Sequence, residues 1–298
     1  MAKKEGGLSS KEILQEIIKI IAEYDTKLTV RQIYYQLVSK HIIENVKAQY
    51  NRVSKILVKA RHDGDVDWEA IEDRTRAPAG GDVKEDTPDD HFNSALNYMK
   101  NCWKYFKLPF WKGQPKYVEV WFEKQALQGI FEQETENFHV VQLACKGYSS
   151  HTMGYALKER VNEIMSERPE IEEIHIIYFG DLDPSGLDIY RFIQDMSIRF
   201  GLHIEFERVA ITSEQVRQYR IPPMMAKTSD SRYGKFVAEH GTDVVELDAL
   251  NPNVLQELIR RNISKYFDPE IRADIVKQQE RMQKEIKKMV EDYMEKRG

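Results

Sequence analysis

The sequence predicts an α/β protein: a helical amino-terminal unit, then a doubly wound, mostly parallel sheet with carboxy-terminal helices. Three observations carry that expectation. Residues 117–122, 139–143, 173–179 and 203–209 are short β-prone runs separated by segments of helical periodicity, the alternation that builds a parallel sheet. The first 62 residues carry helical stripes instead. Finally, the run Tyr178-Phe179-Gly180-Asp181-Leu182-Asp183-Pro184-Ser185-Gly186 sets two carboxylates and a helix start at the end of a strand, where open α/β sheets place their chemistry.

In the amino-terminal unit, Ser9 with Glu12 is a capping box. It opens a helix whose Ile13, Ile17, Ile20, Ile21 and Tyr24 form an apolar stripe. A second helix is expected over 29–41 and a third over 46–61. In the third, Val46, Tyr50, Val53, Leu57 and Ala60 share one face, while Arg52, Lys55, Lys59 and His62 line another. His62-Asp63-Gly64-Asp65 ends it, and residues 66–76 have room for a short hairpin. Three helices with a basic third and a trailing wing fit a winged helix-turn-helix, whose last helix enters the major groove. A structural three-helix bundle is the alternative. In the second helix Val30, Ile33, Tyr34 and Leu37 face the core. Tyr35 lies about 100° further round, beside Arg31 and Ser39, and is expected to be exposed. A phenol one turn from a guanidinium can act as a nucleophile, because the cation favours phenolate and steadies a phosphorane-like transition state. An ordinary surface tyrosine is the competing reading.

At 298 residues the chain can hold two cores. The expected divisions are a DNA-binding unit at 1–76, a linker with a packing helix at 77–115, a metal-binding α/β unit at 116–250 and a helical extension at 251–298. No apolar run nears the ~20 residues of a membrane span, and residues 1–7 lack the apolar core of a signal peptide. Cys102 and Cys145 are the sole cysteines and have no metal-type spacing, which predicts a soluble protein of a reducing compartment. Net charge is −5, yet from Lys27 to His62 eight Lys/Arg face one acid, Glu44. That window is therefore +7 and the remainder −12, a separation that suits phosphate binding as well as a solvated helix face. Neither G-x-G-x-x-G nor G-x-x-x-x-G-K-[ST] occurs, so dinucleotide and nucleoside-triphosphate binding have no support.

Glu123 ends the first strand as Asp181 and Asp183 end the third. Parallel strands share a rim at their carboxyl ends, so the three acids can converge there. Residues two apart on extended backbone point the same way, and hard oxygen ligands suit Mg²⁺. Lys146, in the loop 146–150, adds a phosphate-binding cation. Asp183 has a plainer reading, the N-cap of a helix with Pro184 at its first position. Glu246 and Asp248 repeat the acid-x-acid spacing, although Asn251-Pro252 makes Asp248 equally a turn residue. The polar loop 222–232 suits either a DNA backbone contact or a surface connection. Helices are expected over 254–266 and 271–297; in the last, Ile275, Met282, Ile286, Met289, Val290 and Met294 make an interrupted stripe for packing or dimerisation.

Four segments together resemble a known family. Arg31-Gln32-Ile33-Tyr34-Tyr35, Phe122-Glu123-Lys124, Lys146-Gly147-Tyr148-Ser149 and Asp181-Leu182-Asp183-Pro184-Ser185-Gly186-Leu187-Asp188-Ile189-Tyr190 stand in the order found in the topoisomerase VI A subunit and the meiotic double-strand-break transesterase. The similarity covers roughly residues 10–210. It implies a winged helix joined to a Toprim domain, a cytoplasmic, nucleoid-associated protein and a type IIB, A-subunit-like activity. Tyr35 would attack double-stranded DNA and form a 5′-phosphotyrosyl link, with Arg31 assisting and Glu123, Asp181 and Asp183 holding Mg²⁺. Arg52, Lys55, Lys59 and Lys146 would bind DNA. A homodimer is implied, the tyrosine of one protomer serving the metal site of the other, and strand passage would need a separate ATPase subunit. Gln32 departs from the family, which usually carries an acid there. A Toprim nuclease using metal-activated water and a non-catalytic DNA-binding module are the alternatives.

Overall fold

Two reciprocal caps start the amino-terminal unit of the computed structural model, which describes residues 8–72, 87–145, 151–225 and 231–296. Ser9 Oγ accepts from Glu12 N at 3.2 Å and Ser9 N donates to Glu12 Oε2 at 2.8 Å, opening α1 (Ser10–Ala22) as expected. Thr29 and Gln32 make a second box ahead of α2 (Val30–Ser39). That pairing gives Gln32 a physical account: at this position of a capping box, Gln serves as Glu does. In α3 (Lys47–Asp63), Val53, Leu57 and Ala60 are buried, and Gly64 ends the helix at φ +82°. Val46 caps the helix from an exposed position instead of joining its core.

Among the described residues the expected hairpin is absent. Asp67 accepts from Glu69 N, which starts a 3-10 turn over Trp68–Ala70, and Ile71 makes a lone parallel bridge to Leu28. Residues 73–76 lie outside the described residues.

The α/β expectation holds. Strands β1 (Lys116–Phe122), β2 (Val141–Ala144), β3 (Glu173–Phe179) and β4 (Glu205–Ala210) form an all-parallel sheet in the order β2-β1-β3-β4. The linking helices are α5 (Gln128–Phe138), α6 (His151–Glu167) and α7 (Pro184–Arg199). β2 starts two residues later than expected because His139 adopts φ +50° to terminate α5. Val118, Val120, Phe122, Ile177 and Phe179 pack on one face with Ile130 and Phe131 of α5 and Leu255 and Ile259 of α10 (Pro252–Ser264). Trp121, Ile176 and Tyr178 pack on the other with Leu157 and Val161 of α6 and Ile189 and Ile193 of α7. Helices thus cover both faces. The first of these cores runs unbroken into Ile13, Ile17, Ile33 and Leu37 of the helical unit, so the amino-terminal lobe is welded to the sheet.

After β4, α8 (Ser213–Gln218) leads to a ribbon of β5 (Met224–Met225) and β6 (Asp243–Val244), joined through α9 (Tyr233–His240). A continuous strand over 244–248 is not formed: Val245 bridges Leu182 and Leu247–Ala249 is a 3-10 turn. Two long helices, α4 (Pro88–Tyr105) and α11 (Pro269–Glu295), pack against each other. No helix among the described residues is long and apolar enough to cross a membrane.

One buried charge is structural. Glu119, fully buried on β1, accepts from Arg160 Nε and Nη2 at 3.1 and 2.9 Å, Trp121 Nε1 at 2.7 Å and Tyr117 OH at 2.8 Å. Every donor aims at one carboxylate, so Arg160→Met strands a charge without its counter-ion. Chemical denaturation is expected to show a loss of about 3 kcal/mol, and Glu119→Gln/Arg160→Met a smaller one.

Candidate functional site

The order β2-β1-β3-β4 reverses direction between β1 and β3, and this switch point is where open sheets leave a crevice. Glu123 N donates to Phe179 O at 2.9 Å, so Glu123 and Asp181 leave adjacent strands side by side. Glu123 Oε2 accepts from Asp181 N at 2.9 Å. Asp183 Oδ1 accepts from Gly186 N at 2.6 Å and caps α7, with Pro184 in its first turn. A Cβ at Gly186 would strike the Asp181 carbonyl and lie 3.0 Å from Glu123 Oε2, so glycine keeps the acids and the helix start in close approach.

Tyr35 is where sequence reasoning fails. It was expected at the surface and is 3% exposed, because α2 packs against the 3-10 turn Leu247–Ala249. Its hydroxyl donates to Glu246 Oε2 at 3.2 Å. Arg31 Nη1 contacts the same oxygen at 2.5 Å, and Arg31 Nε lies 3.9 Å from Asp248 Oδ2. Tyr34 serves packing, as expected, its hydroxyl bonded to Asn45 Oδ1 at 2.9 Å.

Lys124 joins the two groups. Its Nζ lies 3.1 Å from Asp181 Oδ2, 3.0 Å from Asp248 Oδ2 and 3.3 Å from Glu246 Oε2. Asp181 Oδ1 accepts from Leu247 N at 2.7 Å. Beneath the rim, the half-buried Arg208 donates to the carbonyls of Asp181 (2.7 Å) and Ile211 (2.5 Å), fixing the end of β3. Lys124, Arg208, Glu246 and Asp248 thus complete a constellation of which sequence reasoning had weighed only the last two, as a distant possibility. The contact of Tyr35 with Glu246 is made within one chain, whereas the family resemblance implies a tyrosine acting across a dimer.

The electrostatics reflect a partly buried, acid-rich crevice. Burial pushes the Tyr35 phenol well above its usual range, and the Glu246 charge adds to this against Arg31 and Lys124. Glu123 is raised by burial and by Asp183, against the hydrogen bond from Asp181 N. Burial disfavours the charged Lys124, but Asp248, Asp181 and Glu246 outweigh it and raise its pKa. Glu246 is lowered, since Lys124 and Arg31 overcome its burial. Asp181 is pushed up to about 7 by burial first, with Glu123 and Asp248 adding and Lys124 opposing.

A carboxyl raised from 3.8 contributes stability that is full below that value and lost as pH rises through about 7. Asp181→Asn cannot titrate there. Thermal unfolding of wild type and variant is expected to shift in the variant's favour between about pH 5 and about pH 8.

For a divalent cation, the donor set is apt: carboxylate oxygens alone, at a switch point, as hard cations require. Asp248 Oδ1 is buried and accepts no hydrogen bond, and Arg208 Nε nearby is likewise unpaired. Among the described residues no group of three or more acids, histidines or cysteines is placed so that it could hold a metal ion. Lys124 contacts Asp181, Glu246 and Asp248, and Asp183 is engaged at α7. A cation here would have to take Asp181 over from Lys124.

Of the expected DNA contacts, Lys55 and Lys59 are exposed one turn apart on α3, while Arg52 Nη2 donates to Leu8 O at 2.6 Å. Lys146 lies outside the described residues, as do residues 226–230 of the loop 222–232. A groove of about 1330 Å³ separates the α2–α3 connection from residues 220–223, bordered by Arg52, Asn45 and Arg220. No protein-family model matches this chain, nor does any curated protein or solved structure compared with it.

Proposed function

We propose that this protein is a Mg²⁺-dependent DNA-cleaving transesterase of the topoisomerase VI A type, its helical unit acting as a winged helix and its sheet as a Toprim domain. The observation that carries the reading is the meeting of Arg31 and Tyr35, from one lobe, with Glu246, Lys124 and Asp181, from the other. Phenol, guanidinium and carboxylates in one crevice are the parts a phosphodiester transesterification needs.

In this mechanism Tyr35 Oη attacks a DNA phosphorus. Its proton passes to Glu246, whose Oε2 already accepts the phenol's hydrogen bond. The bond from phosphorus to the 3′ oxygen breaks, that oxygen leaves and takes up a proton, and a 5′-phosphotyrosyl ester remains. Arg31 stabilises charge on the phosphoryl oxygens. Glu123, Asp181 and Asp183 would hold Mg²⁺, which when bound supplies positive charge against the scissile phosphate. Arg208 keeps the Asp181 backbone in place. Lys55, Lys59 and the groove edge at Arg52 and Arg220 give the DNA backbone a cationic track. Double-stranded cleavage would require two copies, and strand passage a separate ATPase.

The second reading, a nuclease in which metal-activated water attacks, is favoured by the burial and raised pKa of Tyr35. Detergent trapping after incubation with DNA and Mg²⁺ separates the two. A covalent complex supports the first reading. Cleavage without one supports the second, and salt-sensitive binding with no cleavage leaves a DNA-binding module.

A further inference from the structure

Every acid that the cleavage reading assigns to the cation already carries an internal hydrogen bond. Glu123 Oε2 and Asp183 Oδ1 each accept from a backbone N–H, at 2.9 and 2.6 Å, and among the described residues the second oxygen of each is left over. Asp181 has neither to spare. Leu247 N donates to its Oδ1 at 2.7 Å, and Lys124 Nζ lies 3.1 Å from its Oδ2. The Leu247 bond is set by the backbone: Leu182 and Val245 exchange hydrogen bonds of 2.8 and 3.0 Å, which pin the turn beside the rim. The lysine contact depends on side-chain rotamers alone, so it is the exchangeable one.

We propose that Lys124 is an internal competitor of the divalent cation, an autoinhibitory contact that keeps Asp181 occupied until the cation displaces the ammonium. Three features equip it for this. It follows Glu123 directly on extended backbone (φ −107°, ψ 113°), so the two side chains leave the end of β1 on opposite sides, one toward the start of α7 and the other toward the turn after Glu246. Its charge is poorly screened, since the Lys124 side chain is 19% exposed and that of Asp181 7%. The exchange also leaves the ammonium with partners, because Asp248 Oδ2 at 3.0 Å and Glu246 Oε2 at 3.3 Å remain when Asp181 is surrendered. The lysine is never stranded, and the contact can open and close. A ligand that needs a sparsely populated state binds more weakly by the fraction of molecules in that state, so the contact sets the cation concentration at which the rim fills. The inference rests on the cation of the cleavage reading and adds the residue that regulates its entry.

Calorimetric titration of the full chain with Mg²⁺ alone tests this on wild type, Lys124→Met and Lys124→Arg. Lys124→Met removes the charge and is expected to bind at least about tenfold more tightly than wild type, whereas Lys124→Arg keeps a competing cation and should stay as weak. Because Lys124→Met strands buried carboxylates and can unfold, Lys124→Met/Asp248→Asn removes one charge of each sign. It should bind at least about tenfold more tightly than Asp248→Asn alone. Thermal unfolding, raised by Mg²⁺ more in the double variant than in Asp248→Asn, reads the same exchange without enzymatic activity. Equal Mg²⁺ affinity with and without the lysine overturns the proposal and leaves the cleavage reading standing. So does Lys124→Arg binding as tightly as Lys124→Met, since the charge would then not matter. Absence of Mg²⁺ binding in every protein overturns the proposal and the cation of the cleavage reading together.

Discussion

Tyr35→Phe is expected to abolish the covalent protein–DNA complex and to lower cleavage to background, a loss on the order of the 10⁶-fold seen when a covalent nucleophile is removed. The substitution deletes one oxygen. That oxygen donates to Glu246 Oε2, which Arg31 and Lys124 also hold, so the carboxylate keeps two cationic partners when the phenol is gone. The ring remains packed between α2 and the Leu247–Ala249 turn, and folding is expected to be unchanged or slightly improved. Tyr34→Phe is the matched control. Its hydroxyl bonds Asn45 and the Val46 carbonyl on the far side, and trapping should persist. Quantifying protein-linked DNA after detergent, across the three proteins, checks the expectation.

Glu123→Ala is expected to have the second large effect, because under the proposed reading it removes cleavage with either nucleophile. Loss of one charge-stabilising group costs about 10²–10³-fold, and more if the cation no longer binds. The fold should not suffer. Glu123 is raised by burial and by Asp183, which means that its ionised form works against the native state at neutral pH. A half-buried acid disfavoured in its ionised form suits a role at the sheet rim better than one in the architecture. Glu119 is the contrast, a buried acid with four donors and no shared rim. A gel assay of nicked and linear products, paired with thermal unfolding, should report lost cleavage with an equal or higher melting temperature. Lost cleavage together with a collapsed fold would place Glu123 with Glu119.

What the sequence makes legible is local. The Ser9–Glu12 box, the Asp183 cap ahead of Pro184, the four strands and the proximity of Glu123 to Asp181 all follow from spacing within a few residues or from parallel-sheet geometry. The burial of Tyr35 does not, because helical periodicity ranks faces within α2 and is blind to a turn 211 residues away that packs on a second face. Lys124 and Arg208 were illegible for the same reason. Lys124 is an ordinary basic residue after β1, and Arg208 one within β4, until the 3-10 turn and the carbonyl end of β3 close around them. The turn at 67–70 is a smaller lesson: among the described residues, Asp67 bonding its own chain two residues on favours a tight turn over an extended strand.

The claim that the helical lobe supplies a nucleophile to the carboxylate rim is tested most directly by mass spectrometry of the trapped complex. Digestion with nuclease and trypsin releases the peptide of residues 32–40, which contains both Tyr34 and Tyr35. The nucleotide phosphate is expected on Tyr35, only when Mg²⁺ is present and only when Glu123 is intact. Vigorous Mg²⁺-dependent cleavage with residues 32–40 unmodified, or with the adduct on another residue, would contradict it.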